Sequence, residues 1–160
     1  MNTNFNLKSI QARWVLGLIP ADDLPDIAVK ALSAGVESKS LIELAGLSGN
    51  DTDEARKLFE QALNELGCES MGKIDALRNY ARIVSTSMLN LELTPLEGAK
   101  RIWQASRHSS LTDFHDLDTF IYAASELEDR PQDRALFEKA ILEEAARWGA
   151  SESSVSRRME

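Results

Sequence analysis

The chain has 160 residues, of which 43% are hydrophobic and 28% charged, and its formal net charge at pH 7 is −8. That length matches the commonest domain size and that apolar fraction suffices for a core, which excludes wholesale disorder. The negative charge argues against direct binding to nucleic acid, and no stretch approaches the ~20 apolar residues needed to span a bilayer.

The opening Met1-Asn2-Thr3-Asn4-Phe5-Asn6 lacks the basic and apolar regions of a secretory leader. One cysteine, Cys68, excludes an intramolecular disulfide and fits a reducing compartment, so a cytoplasmic location is expected.

Apolar residues recur at helical spacing almost throughout, and no alternating strand pattern of useful length occurs. Leu7, Ile10, Trp14 and Leu18 mark a first helix that Pro20 is expected to close. Asp22 or Asp23 is placed to cap a second, with Pro25 in its first turn and Gly35 at its end. Ser40 with Glu43 reads as a capping box for a short third helix ending near Gly46, and Ser48-Gly49-Asn50 as a turn. Asp51 with Glu54 is a second box, opening a helix that turns Leu58, Phe59, Ala62, Leu63 and Leu66 inward and stops at Gly67. Residues 67–73 interrupt the periodicity. A long helix then carries Ile74, Leu77, Ala81, Val84 and Met88.

Thr94-Pro95-Leu96-Glu97 combines a threonine cap with a proline at the first helical position, the clearest start signal in the chain. The helix it opens presents Leu96, Ala99, Ile102 and Trp103. Residues 106–113 read as a loop, with Thr112 or Asp113 capping a helix that carries Leu117, Phe120, Ile121, Ala124 and Leu127 and ends before Pro131. The last helix is expected from about Pro131 to Trp148, with Leu136, Ala140, Ile141, Ala145 and Trp148 inward. The predicted architecture is all-α: a single-domain bundle, or a short stack of helical hairpins, of about seven helices over residues 1–150, followed by a mobile tail over 151–160.

The charge is uneven. Residues 113–144 hold ten acidic side chains against three basic ones. Asp113, Asp116, Asp118, Glu126, Glu128, Asp129 and Asp133 form the candidate partner-binding face, with Phe114 and Tyr122 as its aromatic anchors. His115 and Asp118, three apart, are also a spacing that metals use, but a zinc site needs three or four ligands and the other histidine, His108, lies in the expected loop. Aspartates at a helix start serve capping equally well. The carboxylates around Arg130-Pro131 suit glycoside hydrolysis only if a cleft desolvates one of them, and the flanking sequence reads as exposed. Arg78, Arg82, Lys100, Arg101 and Arg107 could line a basic strip or be scattered. Cys68 follows a helix end beside Glu69, which disfavours a thiolate. Trp14, Trp103 and Trp148 fall on apolar stripes and are assigned to packing. No nucleophile elbow, glycine-rich phosphate loop or Walker lysine is present, so no catalytic residue, cofactor or metal is assigned.

Two stretches carry a resemblance. Ala12-Arg13-Trp14-Val15-Leu16-Gly17 with Leu24-Pro25-Asp26-Ile27-Ala28 and Leu41-Ile42-Glu43-Leu44-Ala45-Gly46, and Phe120-Ile121-Tyr122-Ala123-Ala124-Ser125-Glu126-Leu127-Glu128-Asp129, resemble small, largely uncharacterised bacterial helical proteins. Some of these look like immunity proteins encoded beside secreted toxins. The resemblance implies a non-enzymatic inhibitor that binds a toxin domain in the cytoplasm of the producing cell, a basic nuclease domain being one such partner. Complementary charge would speed that association. The alternative is a helical protein, structural or regulatory, whose partner is a second copy of itself.

Overall fold

A computed structural model describes residues 6–48 and 50–158, with side chains as far as Gly149. Helix makes up 74% of the chain, and no strand occurs among the described residues. Eight α-helices follow in order: α1 (Leu7–Val15), α2 (Leu24–Ser33), α3 (Lys39–Ala45), α4 (Thr52–Glu65), α5 (Lys73–Leu89), α6 (Pro95–Ser109), α7 (Asp118–Asp129) and α8 (Arg134–Arg158). Single 3-10 turns, Ala21–Asp23 and Pro131–Asp133, lead into α2 and α8. None of the described helices is long and apolar enough to cross a membrane. The expected tail, residues 151–160, lies outside the residues whose side chains are described; α8 is followed there only as a backbone helix to Arg158.

The chain divides into two compact units, Met1–Met71 and Gly72–Glu160, parting inside the segment where helical periodicity breaks. The first unit holds α1 to α4. Ile10, Leu24, Ala28, Ala31, Leu41, Leu44, Ala55, Leu58, Phe59, Ala62 and Leu63 pack into one buried cluster. Trp14 meets Phe59 edge-on with ring centroids 5.3 Å apart. The Gln11 side-chain amide donates to the Glu69 carbonyl at 2.8 Å, tying α1 to the chain just past α4.

Helix ends in this unit correct two expectations. Pro20 does not terminate α1; Gly17 does. Its φ of 74° lets Gly17 N–H reach the Trp14 carbonyl and Leu18 N–H the Arg13 carbonyl, a paired closure that requires the left-handed region. The run to Ile19 is therefore a turn, with Leu16 and Ile19 buried. Nor does Ser40 cap α3: Ser38 does, its hydroxyl accepting from Leu41 N–H. Ser40 instead joins a second cap reaching across from α4. The Glu65 carboxylate accepts from the Ser38 hydroxyl at 2.8 Å, the Ser40 N–H at 3.1 Å and the Ser40 hydroxyl. Asp51 occupies the N-cap position of α4 but makes no side-chain capping bond.

In the second unit α5 packs on α6 and α8, and α7 lies against both α6 and α8. Leu77, Val84, Met88, Ile102, Leu117, Phe120, Leu127, Phe137 and Ile141 supply its large buried side chains, with alanines at positions 76, 81, 99, 105, 123, 124 and 145 between them. Thr94 caps α6 as expected, its hydroxyl accepting from Glu97 N–H at 3.1 Å. α6 runs on through Ser109 where a loop was expected and closes on Ser110 at φ 59°. Neither Thr112 nor Asp113 caps α7, because that helix begins only at Asp118. In α8 the inward position is Phe137, while Leu136 is 62% exposed. At the α5–α6 corner Leu91 takes φ 61° with 90% of its surface in water.

Gly98 of α6 faces Met88 of α5 so closely that an added Cβ would meet the thioether sulfur and Cγ well inside van der Waals contact. Gly98→Ala gains about 1 kcal/mol of helix propensity, yet overpacking typically costs about 1–3 kcal/mol. Met88 is fully buried, so the loss should win by about 1 kcal/mol in urea unfolding.

The three hydrogen bonds from Ser40 and Ser38 hold the Glu65 carboxyl below its usual range. A depressed folded-state value means the contribution is complete at neutral pH and is lost as pH falls through that value. The stability gap between the native chain and Glu65→Gln should therefore be largest near neutrality. It should narrow below the ordinary glutamate value of about 4.3, as read by denaturant titration at stepped pH.

Candidate functional site

α7 carries most of the candidate face. Phe120, Ala123, Ala124 and Leu127 point into the core. Asp118, Tyr122, Ser125 and Asp129 follow one another at steps of four, three and four residues and so share the outer side, over about 16 Å of helix. Tyr122 is 59% exposed. Its ring rests edge-on against the buried Phe137 of α8, with centroids 6.5 Å apart, so one edge is anchored and the rest is open.

Beside this pair, the Arg130 guanidinium lies over the Phe137 ring, 5.6 Å from its centroid. Glu126 and Asp133 clasp that same guanidinium at 3.7 and 2.5 Å. The chain therefore wraps one cation in two carboxylates just where α7 gives way to α8.

The remaining acidic residues turn in other directions. Asp116 accepts from Nε and Nη2 of Arg78 on α5, at 3.1 and 3.0 Å. Arg78 also lies over the ring of half-buried Phe114, 5.5 Å from its centroid. Glu128 sits 3.5 Å from Lys100 of α6. Asp118 is 3.1 Å from Nδ1 of His115. Asp113 and Asp129 have no ion pair among the described residues.

Exposed pairs of this kind contribute about 0–1 kcal/mol each to stability. Their larger effect is on the outward field, because each paired cation cancels a carboxylate at a distance. The nine candidate residues thus do not form one continuous acidic ridge. Asp118, Tyr122 and Asp129 come together on the outer side of α7, and Glu126 flanks Tyr122 one turn on. Asp116 and Phe114 belong to a neighbouring cluster around Arg78, and Glu128 faces α6.

Among the described residues no group of three or more histidine, cysteine, aspartate or glutamate side chains is placed to share a metal ion. His108 lies in the last turn of α6, where a cation is favoured by the helix dipole. Burial pushes the Cys68 thiol up, with Lys8 pulling weakly the other way. The thiol therefore stays protonated at neutral pH, because of its burial and not of the neighbouring Glu69.

Of the two arrangements open to the basic residues, a strip or a scatter, no continuous strip forms. Lys100 and Arg78 are committed to Glu128 and Asp116, while Arg78 and Arg82 share a cleft with Arg147 and Trp148 of α8. Arg147 had no part in the sequence reading, and Trp148, half-buried, was assigned to packing alone. Arg78 and Arg82 stand one turn apart on α5, a visible local signal. The juxtaposition with α8 is not local and could be read only from the fold.

No family model, curated protein or solved structure matches the chain.

If Tyr122 is chiefly a surface group, removing it should hardly disturb folding. Tyr122→Ala should cost no more than about 1 kcal/mol, the worth of its aromatic pair. Phe137→Ala should cost about 3–5 kcal/mol, as large-to-small core changes do. Thermal unfolding of the two variants side by side checks the contrast.

Proposed function

We propose that the protein is a non-enzymatic binding module that docks a protein partner through the outer side of α7. The partner presents a basic surface, as the toxin domain neutralised by an immunity protein would, and meets it in the cytoplasm of the producing cell. The observation that carries this reading is Tyr122: a large aromatic side chain, 59% exposed, seated on a packed helix pair with carboxylates one turn away on both sides. Amphipathic aromatics on rigid backbones are the typical anchors of protein interfaces, and flanking charges steer encounter and reject wrong partners. Asp113 and Asp129 add charge that no arginine of this chain cancels among the described residues. Phe114, Asp116, Glu128 and Asp133 belong to the rim of the docking region, their side chains already engaged within the chain.

Self-association is the second reading, favoured by a different observation. Ala135, Leu142 and Ala146, interleaved with Glu138, Lys139 and Glu143, line an open and mostly apolar hollow on α8, and Leu136 is exposed next to it.

The test pairs the chain with a toxin domain encoded beside it. Tyr122→Ala combined with Asp118→Lys and Asp129→Lys should leave far-UV circular dichroism unchanged. Losing one hot spot of about 2 kcal/mol should weaken binding roughly thirtyfold, with loss of protection in cells. Unchanged affinity and protection would remove the α7 face as the interface. Equilibrium sedimentation separates the second reading: a dimer abolished by Leu142→Asp supports it, and a monomer rules it out.

A further inference from the structure

The cleft between α5 and α8 meets the rim of the α7 face at Asp116 but has the opposite character. It is an open hollow of about 280 Å3, lined by Arg78, Arg82, Asp116, Arg147 and Trp148. Three guanidiniums against one carboxylate make it a locally positive hollow in a chain whose net charge is −8.

The three arginines are not equivalent. Arg78 is held by Asp116 at 3.0 Å, and Arg147 lies 3.6 Å from Glu144. Arg82 has no ion pair among the described residues, and its Nε is shut off from solvent without an acceptor. A guanidinium cannot shed its proton to escape such a position. A half-buried cation with one buried donor unanswered is unfavourable until an acceptor reaches it. Trp148, half-buried on the neighbouring helix, gives the same hollow a planar apolar wall. The volume is close to the lower limit of small-molecule sites, roughly 300 Å3. A polyanion would have to approach against the negative field of the whole chain.

We propose that this cleft binds a small phosphate monoester, with its oxyanion among Arg78, Arg82 and Arg147 and its planar body against Trp148. With Arg78 paired to Asp116 and Arg147 to Glu144, the unanswered Arg82 leaves the hollow one positive charge in excess, which favours an anionic group there. Guanidiniums match phosphate oxygens in forked pairs, and Asp116 keeps Arg78 oriented rather than competing for the ligand.

The experiment is a nuclear magnetic resonance titration of the 15N-labelled full chain. It follows the arginine Nε–H and tryptophan indole N–H signals while phenyl phosphate, inorganic phosphate or benzyl alcohol is added. Phenyl phosphate should shift the Arg82 and Trp148 signals together along one saturable curve. Inorganic phosphate should move the Arg82 signal without that of Trp148 and bind up to about tenfold more weakly, the aromatic contact being absent. Benzyl alcohol should move neither. Arg82→Gln should weaken phenyl phosphate binding at least tenfold with helicity unchanged. Should that variant not fold, Arg147→Gln carries the same expectation. Equal binding of inorganic phosphate and phenyl phosphate would remove the role of Trp148 and overturn the proposal. Shifts that never saturate, or that appear equally at Arg56 and Arg107, would reduce the effect to a counterion atmosphere and overturn it as well.

Discussion

None of the first three helices is long enough to persist by itself. They have nine, ten and seven residues, below the roughly 12–15 at which an isolated helix becomes even marginal in water. Burial of their apolar sides against one another and against α4 is therefore what makes them helices at all. Phe59 sits at the centre of that dependence, covered by Trp14 and surrounded by leucines from α2, α3 and α4. The second unit obeys the same rule with longer helices. Its many buried alanines, together with Gly98, let backbones come close, so the rotation of each helix about its axis is set by what it buries. Outer faces are fixed as a by-product.

That fixing decides how the charges act. α7 turns Phe120, Ala124 and Leu127 inward, which leaves Asp118, Tyr122 and Asp129 on its outer side with no freedom to regroup. The same rotation delivers Glu126 to Arg130 and Glu128 to Lys100. A local excess of acidic residues is thus divided between internal pairs and a narrower outward stripe with tyrosine at its middle. In the same unit, α5 and α8 bring arginines together and leave one of them without a counter-ion among the described residues. Acidic composition and a basic hollow coexist because charge is placed by helix geometry, not by totals.

The sequence was a good guide to some of the local signals. Thr94 with Pro95 marked the start of α6, and Gly35 and Gly67 marked the ends of α2 and α4, since capping chemistry involves neighbours a few residues apart. It was a poor guide where two local choices were nearly equal. Leu136 and Phe137 are both apolar, and only packing against α7 selects Phe137. Ser38 and Ser40 both suit a cap, and the choice rests on Glu65, 25 residues further along. Residues 106–109 have polar side chains, yet continuing α6 buries Ser109 and lets its hydroxyl donate to the Ser106 carbonyl. The candidate site was legible as a set of residue types and not as an arrangement. Arg78 and Asp116 are 38 positions apart, and no periodicity announces that they meet. The exposure of Tyr122 could be anticipated because it stands beside, not within, the apolar stripe of its own helix.

Glu65 closes α4 while accepting from the Ser40 amide in the first turn of α3 and from the Ser38 and Ser40 hydroxyls, so the two helix ends are one structural joint. When the final turn of α4 frays, the carboxylate departs and the seven residues of α3 lose an acceptor at the end where a short helix is most exposed to melting. Loosening of α3 likewise frees Glu65. Local opening in this region is consequently shared between segments distant in the chain, and amide protons on both should exchange with solvent as a single cooperative event rather than by independent unwinding.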